Sequence, residues 1–310
     1  MKSLQFDGVL MRHEVKTFVK RVYQPDKKGG LVMKAGKFVK LNVGLILILI
    51  LLTACDGSVS NNFSVNNDGF PFQADDPKFF ANDTFTTEFL LVNHSRIRLE
   101  TVRGNIEIEG RNDTNSVTVI AQKYVGSDSL EDAEANLNEL EIMVTDQNDE
   151  VLIQTLQPVN MQSQKYIVDY LIILPTDMAI EVVHTNGDID IINFENWVTV
   201  DSENGNVFLS NISANVIVTI ANGNIDSSID PPLDGEIILS TNNGDIDLSI
   251  PSFTSAGFAA SINNGSIQTF NLEFDAAVQT IQSLSGTLGD GDGVIDLGSI
   301  NGNINVVGLN

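Results

Sequence analysis

Asn186-Gly187-Asp188-Ile189-Asp190-Ile191 is the phrase whose reading decides the fold, because its short form, Asn-Gly-x-apolar, returns down the chain to Asn310. The glycines are Gly187, Gly205, Gly223, Gly244, Gly265, Gly286 and Gly302, at steps of 18, 18, 21, 21, 21 and 16 residues. A period of about 20 residues marks a stacked-repeat architecture. Two residues after each glycine stand Ile189, Val207, Ile225, Ile246, Ile267, Leu288 and Ile304; five before stand Val182, Val200, Val218, Leu239, Ala260, Ile281 and Leu297. Seven before, only Gln279 is polar. Alternation with period two is the pattern of a half-buried strand, so each unit reads strand, turn, strand.

Asparagine precedes every one of these glycines except Gly286, which follows Ser285. Asn and Gly tolerate the positive φ of a tight corner. Asn-Gly between alternating runs is also the strongest hairpin signal, and hairpins would give a meander. The recurring period favours coils instead, stacked in register so that apolar positions form buried columns and the asparagines a hydrogen-bonded ladder. The expected fold is all-β, a right-handed single-stranded β-helix with coils of 16–21 residues, the hand being that of parallel crossovers.

Outward from this stretch, an eighth copy surrounds Gly104, with Ile97, Leu99, Ile106 and Ile108 in the apolar positions. The step of 83 residues from Gly104 to Gly187 differs in character. Val117 to Ala121 reads as a strand. Ser129 to Leu140 reads as a helix with Leu130, Ala133, Leu137 and Leu140 on one face. Glu141 to Thr145 and Val151 to Thr155 form a hairpin pattern, and Tyr166 to Leu174 an alternating strand stopped by Pro175.

This order of elements, from Arg103-Gly104-Asn105-Ile106-Glu107-Ile108 through Val168-Asp169-Tyr170 to the successive Asn-Gly coils, resembles the adhesin-like β-solenoid domain family, whose biochemical function is unassigned. The resemblance covers residues 85–310. It implies a cell-envelope location and a single-stranded β-helix, and it supplies no catalytic residues.

The net charge of -24 hides an asymmetry. Residues 1–55 hold ten Lys or Arg against three acids, which leaves residues 56–310 with seven bases and 38 acids, a formal 7 - 38 = -31. No Lys or Arg follows Lys165. Such a surface repels nucleic acid and favours cationic ligands.

Residues 33–54 read as a lipoprotein signal peptide. Met33 opens a basic region with Lys34, Lys37 and Lys40, the apolar run Val43 to Leu52 follows, and Leu52-Thr53-Ala54-Cys55 resembles a lipobox. The run is too short for a transmembrane helix, which needs about 20 apolar residues. Cys55 is the single cysteine and the expected lipid attachment site, so membrane contact runs through it. Residues 1–32 are an expected upstream leader, with translation starting at Met33. Residues 55–84 are an expected tether, rich in Asn, Ser, Gly and Asp up to Asp76. The adhesin-like domain follows over residues 85–310.

No catalytic constellation stands out. His184 falls in a repeat column occupied elsewhere by Ser202, Ile220, Thr241, Ile262, Ser283 and Ser299, the pattern of a packed histidine. Alternate carboxylates, Asp188 with Asp190 and Asp245 with Asp247, with Asp226 between, could serve as acid and base pairs in a polysaccharide-active β-helix. The simpler reading makes them a solvated face, since no Lys or Arg is near to stabilise a developing anion. Gly289-Asp290-Gly291-Asp292-Gly293, with Asp296, resembles one copy of a calcium loop, and calcium is the one candidate cofactor. The expected function is that of a lipid-anchored bacterial envelope protein, periplasmic or surface-facing, that binds an envelope or surface protein or glycan without catalysis. The alternatives are a polysaccharide-active enzyme and a sensor of cationic peptides. The sequence ends four residues after Val306, so the last coil is expected to be an open edge inviting self-association.

Overall fold

The computed structural model describes residues 23–25, 31–33, 77–158 and 165–310. The chain divides into two units, Met1–Val65 and Asn66–Asn310. In the first, β1 (Tyr23–Pro25) and β2 (Leu31–Met33) form an antiparallel ribbon. Cys55, the signal core and the leader's methionines lie outside the described residues, as does the tether up to residue 76.

Among its described residues, the second unit is two large sheets facing each other across one core, with one helix. Each coil contributes a strand to the eleven-stranded sheet, turns at its Asn-Gly corner, and contributes a strand to the ten-stranded sheet. The Gly187 coil is β10 (Ala179–Asn186) and β11 (Ile189–Phe194); the Gly205 coil is β12 (Val198–Asn204) and β13 (Val207–Ile212). The Gly223 coil is β14 (Val216–Asn222) and β15 (Ile225–Ile229), and the Gly244 coil is β16 (Glu236–Asn243) and β17 (Ile246–Pro251). These pair in parallel, Val182 against Val200 against Val218 against Leu239, so the repeat columns stack as the period requires. All four are buried, and each such side chain contributes about 1.5–3 kcal/mol.

The Asn-Gly corner explains its own composition. Gly187, Gly205, Gly223, Gly244, Gly302 and Gly265 all have positive φ, between 129° and 158°. A Cβ on any of them would collide with the carbonyl oxygen of the corner glycine below, Gly187 with Gly104, Gly205 with Gly187, and so on. Beside the glycines, Asn204, Asn222, Asn243, Asn301 and Asn264 donate side-chain N–H groups in sequence to Asn186, Asn204, Asn222, Asn243 and Asn301, at 2.8–3.1 Å. The ladder expected from the sequence is present over all six corners.

That ladder also shows the stack to be out of sequence order. The coil after Gly244 in space is not the Gly265 coil, β18 (Ala256–Asn264) and β19 (Ile267–Phe270), but the last one, β22 (Gly293–Asn301) and β23 (Ile304–Leu309). β22 pairs in parallel with β16 on one side and β18 on the other, while β23 lies between β17 and β19. The expectation of a bare C-terminal coil is therefore corrected: Ile304 and Val306 are buried, and both edges of the last coil are hydrogen-bonded. The open edges at this end are β19 and β20 (Phe274–Gln279). The Gly286 unit is corrected too. Gly286 sits inside β21 (Ser283–Leu288), which runs antiparallel to β18 and β20, and Ile281 is 90% exposed.

The other end repeats the device. The Gly104 coil, β4 (Arg96–Glu100) and β5 (Ile106–Gly110), lies between the Gly187 coil and a coil that follows it in sequence, β8 (Glu150–Leu156) and β9 (Lys165–Leu174). β7 (Glu141–Gln147) closes the expected hairpin with β8. β6 (Ser116–Ser127) and β3 (Phe79–Leu90) extend the other sheet in antiparallel fashion. Among the described residues of this unit, strand pairing starts at Phe79, six residues before position 85. The helix α1 (Leu130–Leu137) is capped by Ser129, whose side chain accepts from the Asp132 amide, and buries Ala133.

Candidate binding face

The repeat places one outward side chain three residues after each corner glycine, and in the ten-stranded sheet these form a column. In spatial order it reads Glu107, Asp190, Phe208, Asp226, Asp247, Asn305 and Gln268. Neighbouring strands lie about 4.8 Å apart, so Glu107 faces Asp190 and Asp226 faces Asp247 at one strand spacing. Phe208, 41% exposed, separates the two acidic pairs. Asn305 donates from its side-chain nitrogen to Asp247 at 2.8 Å. Burial, then the charges of Asp190 and Glu109, raises the Glu107 carboxyl above its usual range, and burial raises Asp190. Among the described residues no Lys, Arg or His forms an ion pair with any of these four acids.

The acids one residue after the corner glycine are differently engaged. Asp188 accepts the amide of Asn206 at 2.8 Å, and Asp245 accepts that of Asn303 at 2.6 Å. They belong to a second ladder, in which the Asn105 amide donates to Asp169, Asp188 to Asn105, Asn224 to Asn206, Asp245 to Asn224 and Ser266 to Asn303. Each side chain holds the backbone of the next coil, so these carboxylates are structural. The sequence grouped Asp188 with Asp190 and Asp245 with Asp247; the fold separates them by task. Glu107 was missed, although its place three residues after Gly104 in the eighth copy was the signal for it.

Two of the arginines are paired with acids. Arg96 pairs with Glu150 and Glu181, and Arg98 with Glu100 and Glu181 at 2.8 Å each, on the outer face of the eleven-stranded sheet. Both described histidines have structural settings. His94 accepts the Val92 amide at Nδ1, which leaves Nε2 to donate to Asp146 at 3.0 Å, and its ring packs edge-on to Phe89. His184 is buried beside Ser202 in the column expected for it. Its Nδ1 lies 3.4 Å from the Thr101 carbonyl, while its Nε2 and the Ser202 hydroxyl have no partner. Burial holds its pKa below the usual value.

The calcium candidates do not converge. Asp296 points outward from β22, whereas Asp290 and Asp292 stand in the loop before it, and among the described residues no three His, Cys, Asp or Glu are grouped to hold a metal. The loop has another task. It links β21 to β22 across the start of β18, which lies between them, and the amides of Asp290, Gly291 and Asp292 all donate to the hydroxyl of Ser255 at 2.9–3.3 Å. Ser255 in turn donates to the Asp292 carboxylate at 2.8 Å. Gly289 and Gly291 adopt φ of 56° and 80°, and a Cβ on Gly289 would press on Ser255. The glycines fit a tight crossing over a strand.

Residues 179–307 match the Toastrack DUF4097 family. This stretch is similar to a Toastrack domain. It begins at β10 and includes the reinserted last coil. Among solved structures the chain is similar to a candidate cell adhesion protein from Clostridium sporogenes ATCC 15579, at 12% identity over 74% of this chain and 100% of that one, with a TM-score of 0.38. It is also similar to candidate adhesins from Bacteroides fragilis NCTC 9343, at 12% identity over 72% and 97% of the two chains with a TM-score of 0.26, and from Parabacteroides distasonis ATCC 8503, at 11% over 73% and 97% with a TM-score of 0.21. No curated protein matches.

Proposed function

We propose that this is a lipid-anchored protein of the bacterial cell envelope, held by Cys55, whose Toastrack domain acts by binding and not by catalysis. The coils wind right-handed, the hand that parallel crossovers favour. The partner is a surface or envelope protein, or a glycan, that presents positive charge. The observation that carries this reading is the uncompensated column of Glu107, Asp190, Asp226 and Asp247 on a sheet face, set on a chain with no Lys or Arg after Lys165. Fixed like charges one strand spacing apart are unfavourable in isolation, and a ligand that neutralises them recovers that energy.

Two measurements test the proposal. Cys55→Ser should move the protein out of the detergent phase and leave precursor, since lipid supplies about 0.8 kcal/mol per buried methylene; unchanged partitioning would refute the anchor. Replacement of Asp190, Asp226 and Asp247 by Asn should weaken capture of cationic peptides or amino-sugar polymers about ten-fold or more at low salt, a loss that vanishes at high salt. Turnover of an envelope polysaccharide that the same variant abolishes would instead make the column catalytic.

A further inference from the structure

The slot filled by the last coil need not have been there. The chain climbs from Gly223 to Gly244 in 21 residues and advances one coil; from Gly244 to Gly265 it again takes 21 residues but advances two, leaving room for β22 and β23 between. The contacts on the two sides of the insert are equivalent in kind. Asn301 donates to Asn243 and receives from Asn264, both at 2.8 Å, and the Gly302 carbonyl lies under Gly265 as the Gly244 carbonyl lies under Gly302. Such a repeat specifies that some Asn-Gly coil fills the slot, without specifying whose. The insert carries one charge, Asp296, and no proline or lysine, so neither of its edges is guarded against pairing with another chain. It is joined to the body by the loop of residues 289–292, which holds Gly289 and Gly291 and is pinned at Ser255.

We propose that the last coil is exchangeable between copies: β22 and β23 of one molecule fill the slot between the Gly244 and Gly265 coils of a second. The swapped contact is made of the same hydrogen bonds and the same buried column as the closed one, which is why domain exchange is a low-cost route to association. The partner surface is therefore a second copy of this chain, and this inference does not depend on what the acidic column binds.

The test uses the full chain with Cys55→Ser, so that introduced thiols are alone. Asp247 and Asn305 touch across the slot. A chain carrying both Asp247→Cys and Asn305→Cys should close an internal disulfide, which confirms that the variants fold. Chains carrying Asp247→Cys alone and Asn305→Cys alone are then unfolded together, refolded and oxidised. A covalent heterodimer is expected, and it should be lost when Asp247→Cys is replaced by Asp190→Cys, in the same column but three coils away. Ser255→Ala, which frees the loop, should raise the yield. Absence of the heterodimer, or its equal formation with Asp190→Cys, would overturn the proposal.

Discussion

A methyl group on Gly205 would collide with the carbonyl oxygen of Gly187, and φ there is 129°, where side chains are rarely tolerated. Gly205→Ala should therefore cost more than about 3 kcal/mol, the range of backbone clashes in a core. Asn222→Ala removes a donor to Asn204 and an acceptor for Asn243, and should cost about 1 kcal/mol because both bonds are exposed. Comparable urea midpoints for the two variants would contradict this assignment. His184 gives a pH signature. Burial lowers its pKa in the folded state, so as pH falls through about 6.5 the unfolded chain takes up a proton before the folded one does. Its contribution is thus whole above that value and is lost below it, by up to about 1.4 kcal/mol per pH unit. His184→Thr, which copies Thr241 in the same column, should flatten stability between pH 7 and 5. An unchanged slope would place the titration elsewhere.

At the scale of elements, the corner phrase made most strands legible, because one residue type in the wrong phase would place a polar group in the column. The same logic held the warning about Gly286. Ser285 replaced the asparagine and Gln279 the apolar residue, and they marked two antiparallel strands, β21 and β20, with no Asn-Gly corner. The crossing loop was not legible, since Asp and Gly at alternate positions suit a cation and a tight backbone equally well. The contact that holds the tight backbone is made by Ser255, 35 residues away from Asp290 in sequence. Ser255→Ala leaves three amides without their acceptor and should cost about 1–2 kcal/mol, with faster hydrogen exchange at Gly291 and along β22. Unaltered exchange in β22 would show that the hydroxyl pins nothing.

At the scale of the whole molecule, both ends of the stack are closed by the same manoeuvre. The Gly104 coil at one end and the Gly302 coil at the other are tucked one place inside, and a coil distant in sequence covers each. Antiparallel strands, β7, β6 and β3 at one end and β21 and β20 at the other, then complete the sheets. Sequence could not show this order, because every Asn-Gly coil presents the same ladder and the same apolar column to its neighbour, and only the path of the linking loops distinguishes them. The acidic column does not depend on that order within the Gly187 to Gly244 coils, which is why Asp190, Asp226 and Asp247 could be found from spacing alone. Its continuation through Asn305 to Gln268 does depend on it.

Coil order is accordingly the claim on which the account rests, and disulfide trapping within one chain tests it. In a Cys55→Ser background, cysteine pairs are introduced at Asp247 with Asn305, Asn305 with Gln268, and Asp247 with Gln268. Rapid closure is expected of the first two pairs, one strand spacing of about 4.8 Å apart, and none of the third at about twice that distance. Closure between positions 247 and 268, with none at 305, would show the coils stacked in sequence order and contradict it.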